Sequence, residues 1–318
     1  MAPPVLAACR LPAAWSKCAG WTVLDTDVKG GDHFLSIWRA WKRDPDRPRM
    51  LHYVIATATA PGLTETEAMP LELTRQIADA GPGFHRILLD DAHVSLTLCI
   101  GKVHAVLAEQ VFHGDTLIAR TPIDKWEVQA LARRCKRGTR FWIPGVCADT
   151  LATDRHSQLC ALLRAAGLQP DPGNVASGGM TGVFDPQRSI PSSRTPAHHV
   201  QTTAARCAVV GAGIAGASVA HALAVRGWQV TVFDRHGQPA GGASGLPAGL
   251  AVPHISADDN PRSRMSRSGT RLLRQHAECL LLRGQDWEPT GVTECLPEGG
   301  TRWHAQACWI KPAQLVKA

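Results

Sequence analysis

Residues 206–234 carry a pattern that few folds can accommodate: an apolar run, three glycines, a helical stretch, a second apolar run and an acid. Ala208, Val209 and Val210 read as a buried strand, and Gly211, Gly213 and Gly216 follow at the spacing of a dinucleotide fingerprint. Each glycine has its own physical task. Gly211 permits a tight strand-to-helix turn, Gly213 lets the backbone approach a pyrophosphate, and Gly216 lets the helix pack close to the sheet. The N-terminus of that helix offers unpaired N–H groups and the positive end of its dipole to phosphates. A second strand over 230–233 ends at Asp234, about twenty residues on, where a carboxylate can accept hydrogen bonds from an adenosine ribose. A further glycine-rich run over 241–249, including Ala243, Ser244 and Gly245, leaves room for a bulky cofactor against the backbone.

A chain of 318 residues is long enough for about two domains, each with its own core. No apolar run reaches the roughly 18 residues that a membrane span needs. The first ten residues lack the basic-then-apolar order of a secretory signal, so a cytoplasmic address is expected. Ten cysteines are scattered without a CxxC pair, which disfavours zinc and thioredoxin-type chemistry; most read as buried thiols acting as small hydrophobes. The formal charge of +7 fits a polyanionic partner such as RNA, although an arginine-rich composition alone gives the same balance. Arg262, Arg264, Arg267, Arg271 and Arg274 form the densest basic run, readable as a solvated helix face or as phosphate contacts.

The first twenty residues show no periodicity and read as a lead-in. From Trp21 the order becomes strand (21–25), polar turn (26–32), amphipathic helix (34–41) and strand (50–56), a βαβ unit opening an α/β fold. Trp38 and Trp41, three apart, belong on one buried helix face. A helix over 71–80, a hairpin over 85–98, a helix over 103–110 and a short strand at 116–118 are expected next. A helix over 126–135 with Arg133, Arg134, Lys136 and Arg137 at its end, a strand over 141–146 and a helix over 156–166 complete this half. Between 184 and 205 Pro, Ser and Arg dominate and no core can form; the paired His198 and His199 there read as solvated. The expected division is therefore 1–184, a linker over 185–204, and a second domain over 205–318.

The second half resembles flavin-dependent oxidases of the D-amino-acid oxidase type. Its segment from Gly242 through Gly245 to Gly249, with that from Trp303 to Pro312, is similar to the flavin half of the bifunctional tRNA 5-methylaminomethyl-2-thiouridine biosynthesis proteins, the MnmC family. The first half is similar to that family's methyltransferase half through Thr22 to Thr26, Phe34-Leu35, Trp38 to Trp41, Leu51 to Val54, Pro82 to Arg86, Leu96 to Leu98 and Lys125-Trp126. The resemblance covers nearly the whole chain in the family's domain order. It implies a Rossmann-like methyltransferase-type domain followed by an FAD/NAD(P)-binding Rossmann-type domain, with FAD and S-adenosylmethionine as cofactors and tRNA as partner. It also implies two steps on a wobble uridine. FAD-dependent oxidation of a carboxymethylaminomethyl group leaves a primary amine after imine hydrolysis, and that amine is then methylated.

Gly211, Gly213, Gly216, Asp234, Ala243, Ser244 and Gly245 are the residues expected at the FAD. Gly31 is expected at S-adenosylmethionine, and Asp115, aligned with the Asp of the family's Leu-Asp-Gly-Phe segment, is expected to face the amine. The first half departs from the pattern at its glycine-rich loop, where Asp27 and Lys29 occupy glycine positions, and after its second strand, where Thr57 stands in place of an acid. A side chain in that loop obstructs close approach of a cofactor. The chain ends about 110 residues into a domain that runs several hundred in the family, so a shortened flavin domain is expected. Two other readings fit less of the sequence: an FAD-dependent small-amine oxidase with an unrelated first domain, and an inactive RNA-binding relic.

Overall fold

The structure is a computed structural model describing residues 3–28, 31–59, 73, 77, 80–121, 123–146, 153–171, 178–187, 204–254, 256 and 258–290. Lys29, most of the 71–80 helix, nearly all of the 185–204 stretch with His198 and His199, and the segment from Trp303 to Pro312 lie outside the described residues.

Strands β1 (Gly20–Asp25), β2 (Met50–Thr57), β3 (Gly83–Leu89), β4 (Val94–Ile100), β5 (Gly114–Ile118), β6 (Cys135–Pro144), β7 (Leu168–Pro170) and β8 (Gly179–Phe184) form one sheet in the order β3-β4-β2-β1-β5-β6-β8-β7. The central strands β4, β2, β1, β5 and β6 run parallel, while β3, and β8 against both β6 and β7, pair antiparallel. From β1 the chain builds outward through β2 and then returns to lay β5 on β1's other side. That reversal opens a crevice beyond the carboxyl ends of β1 and β5, the usual ligand position in a doubly wound sheet.

Both sheet faces are buried, as parallel strands require. One face packs Val23, Leu51, Tyr53, Ile55, Leu96 and Leu98 against helices α1 (Pro4–Ala8) and α2 (Asp32–Arg43). The other packs Leu24, Val54, Leu117, Phe141 and Ile143 against α3 (Val103–Ala108), α4 (Lys125–Ala132) and α5 (Thr153–Ala165). Helix α2 shows why its sequence folds as it does. Gly31 caps it at φ 89°, where a Cβ would be strained, Asp32 sits at the positive end of its dipole, and Lys42 and Arg43 sit at the negative end. Its apolar stripe turns Phe34, Ile37, Trp38 and Trp41 into the core, with Trp38 stacked on Phe34 at 5.3 Å. Tryptophan spacing therefore reports packing here, as the sequence suggests.

Three expectations change. The lead-in forms α1 and buries Val5, Ala8, Cys9, Leu11 and Trp15, because a short apolar helix without polar alternation still fills the end of a core. The helix expected to reach 135 stops at Ala132, and Cys135 already opens β6, so Lys136 and Arg137 belong to a strand. Strands β7 and β8 are the third change, since no element is expected between the helix ending at 166 and the linker. A Cβ on Gly182 would stand 2.1 Å from the Gln169 carbonyl oxygen, and one on Gly179 would stand 2.4 Å from that of Ile143. Those glycines serve close strand approach, which no local pattern announces.

The second half begins with β9 (Arg206–Val210), α6 (Ile214–Val225) and β10 (Gln229–Phe233), whose strands pair parallel. The 20-residue helix α7 (Pro261–Leu280) starts on Asn260, whose Oδ1 accepts the Ser263 N–H at 3.1 Å, with Pro261 in its first turn. Helix α7 packs against β3, the edge of the large sheet. There the Gln275 side chain acts as a substitute strand: its Oε1 accepts the Leu88 N–H at 3.1 Å, and its Nε2 donates to the Leu88 carbonyl. An exposed edge is thereby closed to further pairing. Arg264 adds an ion pair to Glu109 at 2.8 Å.

Candidate functional site

The best-formed pocket among the described residues lies at the carboxyl ends of β9 and β10. Its volume is about 340 Å³, and its lining includes Val210, Gly211, Gly213, Asp234, His236 and Ser244. The expected residues Gly211, Gly213, Asp234, Ala243 and Ser244 thus converge on one cavity. Gly211 has φ 105°, and its N–H reaches the Phe233 carbonyl at 2.7 Å, tying the turn to β10. A Cβ on Gly216 would lie 1.8 Å from the Gly211 carbonyl oxygen, so only glycine lets α6 approach the turn this closely. Gly213, the N-cap of α6, would bring a Cβ to 3.0 Å from Ser244 Oγ. Gly245 is required too, since its Cβ would meet the Ala240 carbonyl oxygen at 2.3 Å.

Polar groups around the cavity are already partly engaged. Asp234 Oδ2 accepts the Ala212 N–H at 2.7 Å, and its Oδ1 accepts the His236 N–H at 2.8 Å with His236 Nδ1 at 2.9 Å. Hydrogen bonds from those two backbone N–H groups, then from the His236 ring, hold the carboxyl at about 2, below its ordinary range, so Asp234 is an anion at neutral pH. A carboxylate offers about four acceptor positions, and three contacts here leave room for a ribose hydroxyl. Ser244 Oγ accepts the Ile214 N–H at 3.0 Å across the mouth of the turn. The other first-turn N–H groups of α6 have no intrahelical partner by geometry and suit an anionic oxygen. The residues present fit the diphosphate and ribose of a dinucleotide.

In the first half, the β1–β5 crevice holds a different arrangement. Asp25, 2% exposed at the end of β1, accepts the Tyr53 hydroxyl at 2.5 Å and the Asp27 N–H at 2.8 Å, and His33 Nδ1 lies 3.5 Å from the same carboxylate. Burial and the adjoining Asp25 charge push the Tyr53 hydroxyl well above its ordinary range, so it remains a donor. Thr26 ties the strands together above this cluster: its N–H reaches the Ile118 carbonyl at 2.8 Å, and its Oγ1 accepts the Arg120 N–H at 3.2 Å. Gly31 is here as expected, at the start of α2. Asp115 is not. It lies at the opposite end of β5, where its carboxylate accepts the Thr22 N–H at 2.8 Å and pairs with Lys136. The crevice end of β5 carries Ile118, Ala119 and Arg120, with no carboxylate. The buried acid at the end of β1 is Asp25, flanked by Tyr53 and His33. Strand-terminal position marks Asp25 in the sequence, but the partnership with Tyr53 depends on the parallel register of β1 with β2, and that with His33 on the packing of α2.

Asp27 holds a position where the resemblance expects glycine, and Asp25 is spent on internal partners. These residues fit S-adenosylmethionine only in part, through Gly31 and the α2 N-terminus.

Cys9, Cys99 and Cys135 are buried, and burial lifts each to about 12. Among the described residues no His, Cys, Asp and Glu cluster could hold a metal, and no helix is long and apolar enough to cross a membrane.

Residues 206–315, which include the glycine pocket, match the family model described as FAD dependent oxidoreductase. Other relatives match the whole chain. It is 43% identical to the tRNA 5-methylaminomethyl-2-thiouridine biosynthesis bifunctional protein MnmC of Albidiferax ferrireducens, over 98% of this chain and 55% of that protein. The protein of the same name from Polaromonas naphthalenivorans is 39% identical over 98% of this chain and 57% of its own length. The chain is homologous to the MnmC proteins across both its halves, and it spans a little over half of their length.

Proposed function

We propose that this chain carries the flavin-binding end and the methyltransferase-like half of a tRNA wobble-uridine modification enzyme of the MnmC type, acting in the cytoplasm. The observation that carries the reading is the berth at the α6 N-terminus, where Gly211 and Gly213 flank the turn between β9 and the helix, Gly216 lets the helix approach it, and Asp234 waits as a carboxylate at the end of β10. It lies in the half that matches the FAD family model. The halves divide within 185–204.

In this reading the α6 N-terminus holds the FAD diphosphate and Asp234 orients the adenosine ribose. Ala243, Ser244 and Gly245 form the wall facing the rest of the cofactor. Bound FAD would supply a two-electron acceptor for the C–N bond of a carboxymethylamino group, and water would split the resulting imine into the primary amine and a two-carbon oxoacid. Methylation of that amine falls to the first half. There the work left to the protein is to hold a neutral amine in line with the donor methyl and remove one proton. Asp25, with Tyr53 and His33, is the polar group closest to that task, in a crevice that fits the methyl donor only in part.

The test is direct. Purified chain mixed with FAD should retain a yellow, stoichiometric flavin through gel filtration. Incubated with tRNA bearing 5-carboxymethylaminomethyl-2-thiouridine, it should convert that nucleoside to the primary amine on nucleoside mass analysis. A colourless protein that also leaves the nucleoside untouched overturns the assignment.

A further inference from the structure

Where the second half meets the large sheet, cations collect without counter-charges. Arg49 precedes β2, Arg86 lies on β3, and Arg226 caps the C-terminus of α6. The register of β2 with β4 and of β4 with β3 sets His52 opposite Ser95, and Thr97 opposite Arg86, so His52 and Arg86 rise from the same face of the sheet. The Arg49 guanidinium lies over the turn at Gly227, 3.5 Å from where a Cβ would stand, which sets it beside Arg226. Arg226 Nη1 donates to the Ala222 carbonyl at 2.6 Å, and Arg86 Nε reaches Thr97 Oγ1 at 3.4 Å. Among the described residues, none of the three arginines forms an ion pair. Arg49 and Arg86 are exposed and Arg226 is half-buried.

The contrast with α7 gives the cluster its meaning. Of the basic run there, Arg264 is paired with Glu109, Arg267 with Asp259 at 2.5 Å, and Arg274 with Glu278 at 2.8 Å. That run is largely spent on holding the halves together and on its own helix. Arg49, Arg86 and Arg226 have no such acidic partner among the described residues. Burial and then Arg86 depress the Arg226 guanidinium, and burial, then Arg226 and Arg86, hold His52 down at about 4. An anion seated beside Arg226 and His52 would favour their charged forms.

We propose that Arg49, Arg86 and Arg226 form a phosphodiester-binding site that seats an RNA backbone on the seam between the two halves. The site rests on the tRNA reading above and adds to it where the strand lies. Guanidinium groups suit phosphate oxygens in paired geometry, and contacts of this kind position a strand without reading its sequence.

The experiment measures the affinity of the full chain for a tRNA transcript as a function of salt, for wild type, the R49Q/R226Q and R49Q/R86Q pairs, R226K and R274Q. Removing one arginine–phosphate pairing flattens the slope of log affinity against log salt by about 0.7–0.9, so either double variant should lower it by roughly 1.4–1.8, with affinity down about tenfold at moderate salt. R226K should keep most of the slope, and R274Q all of it. The R49Q/R86Q pair involves only exposed residues, so it carries the test if the Arg226 variant does not fold. If wild type binds tRNA and both double variants match it in affinity and slope, this site is overturned while the tRNA reading stands. If wild type does not bind tRNA, the tRNA reading itself fails and the site falls with it. If inorganic phosphate raises the melting temperature only when these arginines are present, yet tRNA affinity ignores them, the occupant is a free anion and the RNA assignment is wrong.

Discussion

The two nucleotide crevices of this chain have the same ancestry in physics and opposite contents. In each, a parallel strand ends, the chain turns on a glycine with positive φ, and a helix N-terminus points back over the sheet. At Gly211 to Gly216 three glycines and small alanines line the turn, and the cavity beside it is about 340 Å³. At Asp25 to Gly31 the same space is crossed by Thr26 and held by Asp25, Tyr53 and His33. The surrounding architecture is reversed. The crevice with side chains in it sits on an eight-stranded sheet buried on both faces, whereas the open one sits on two strands whose Val210 and Phe233 are 88% and 55% exposed. Backbone topology places a binding site, and a few Cβ atoms decide what it accepts.

That contrast breaks most sharply at Gly216. Gly216→Ala forces a Cβ against the Gly211 carbonyl and should abolish FAD retention, on the order of a hundredfold or more in affinity, equivalent to about 3 kcal/mol or more. Gly237→Ala, where a Cβ meets nothing within 4 Å, should leave flavin titrations unchanged, and a loss there would show that the site is not set by local sterics.

In the first half, Tyr53→Phe strips a buried carboxylate of its hydroxyl donor. It should cost roughly 1.5–3 kcal/mol of stability in urea unfolding; a neutral outcome would mean that Asp25 is satisfied without it.

Acid should act on the same half. His52 and His85 are both held at about 4, chiefly by burial. A histidine whose folded value lies below its unfolded 6.5 contributes fully above 6.5 and is lost as pH falls towards 4. Stability should therefore drop across that window, by up to a few kcal/mol in all, with the melting temperature following, and a His52→Asn, His85→Asn variant should flatten the profile.

Asp234→Asn keeps the shape of the open site but removes its charge. FAD affinity should fall by roughly tenfold while the fold, read by circular dichroism, stays intact. The smallest effect tests the filled site from the other side: Asp27→Gly removes the side chain from the cofactor path, and S-adenosylmethionine binding by calorimetry should strengthen relative to wild type. No change would place the obstruction elsewhere in the crevice.

Local pattern carries far in this molecule. The strand, glycine turn, helix and acid of residues 206–234 are legible because each step is enforced by neighbours in sequence: the φ of Gly211, the period of α6, the apolar run of β10. The amphipathic face of α2 and the hairpin of β3 and β4 are legible for the same reason. Strand β8 is hidden, since Gly179 answers to the backbone of β6, some thirty-five residues away, and Gly182 to that of β7, and neither to its neighbours.

Sequence by itself determined the two Rossmann-type starts and the glycine turn at the end of β9, because a positive φ at Gly211 and the close approach at Gly216 are written in glycine. Tertiary structure alone decided that Asp115 faces Lys136 while Asp25 faces the crevice, and that the arginines of α7 are largely spent in pairs while Arg49, Arg86 and Arg226 are not. Charge is a property of a residue, but its partner is a property of the register and packing that bring distant strands and helices within about 4 Å.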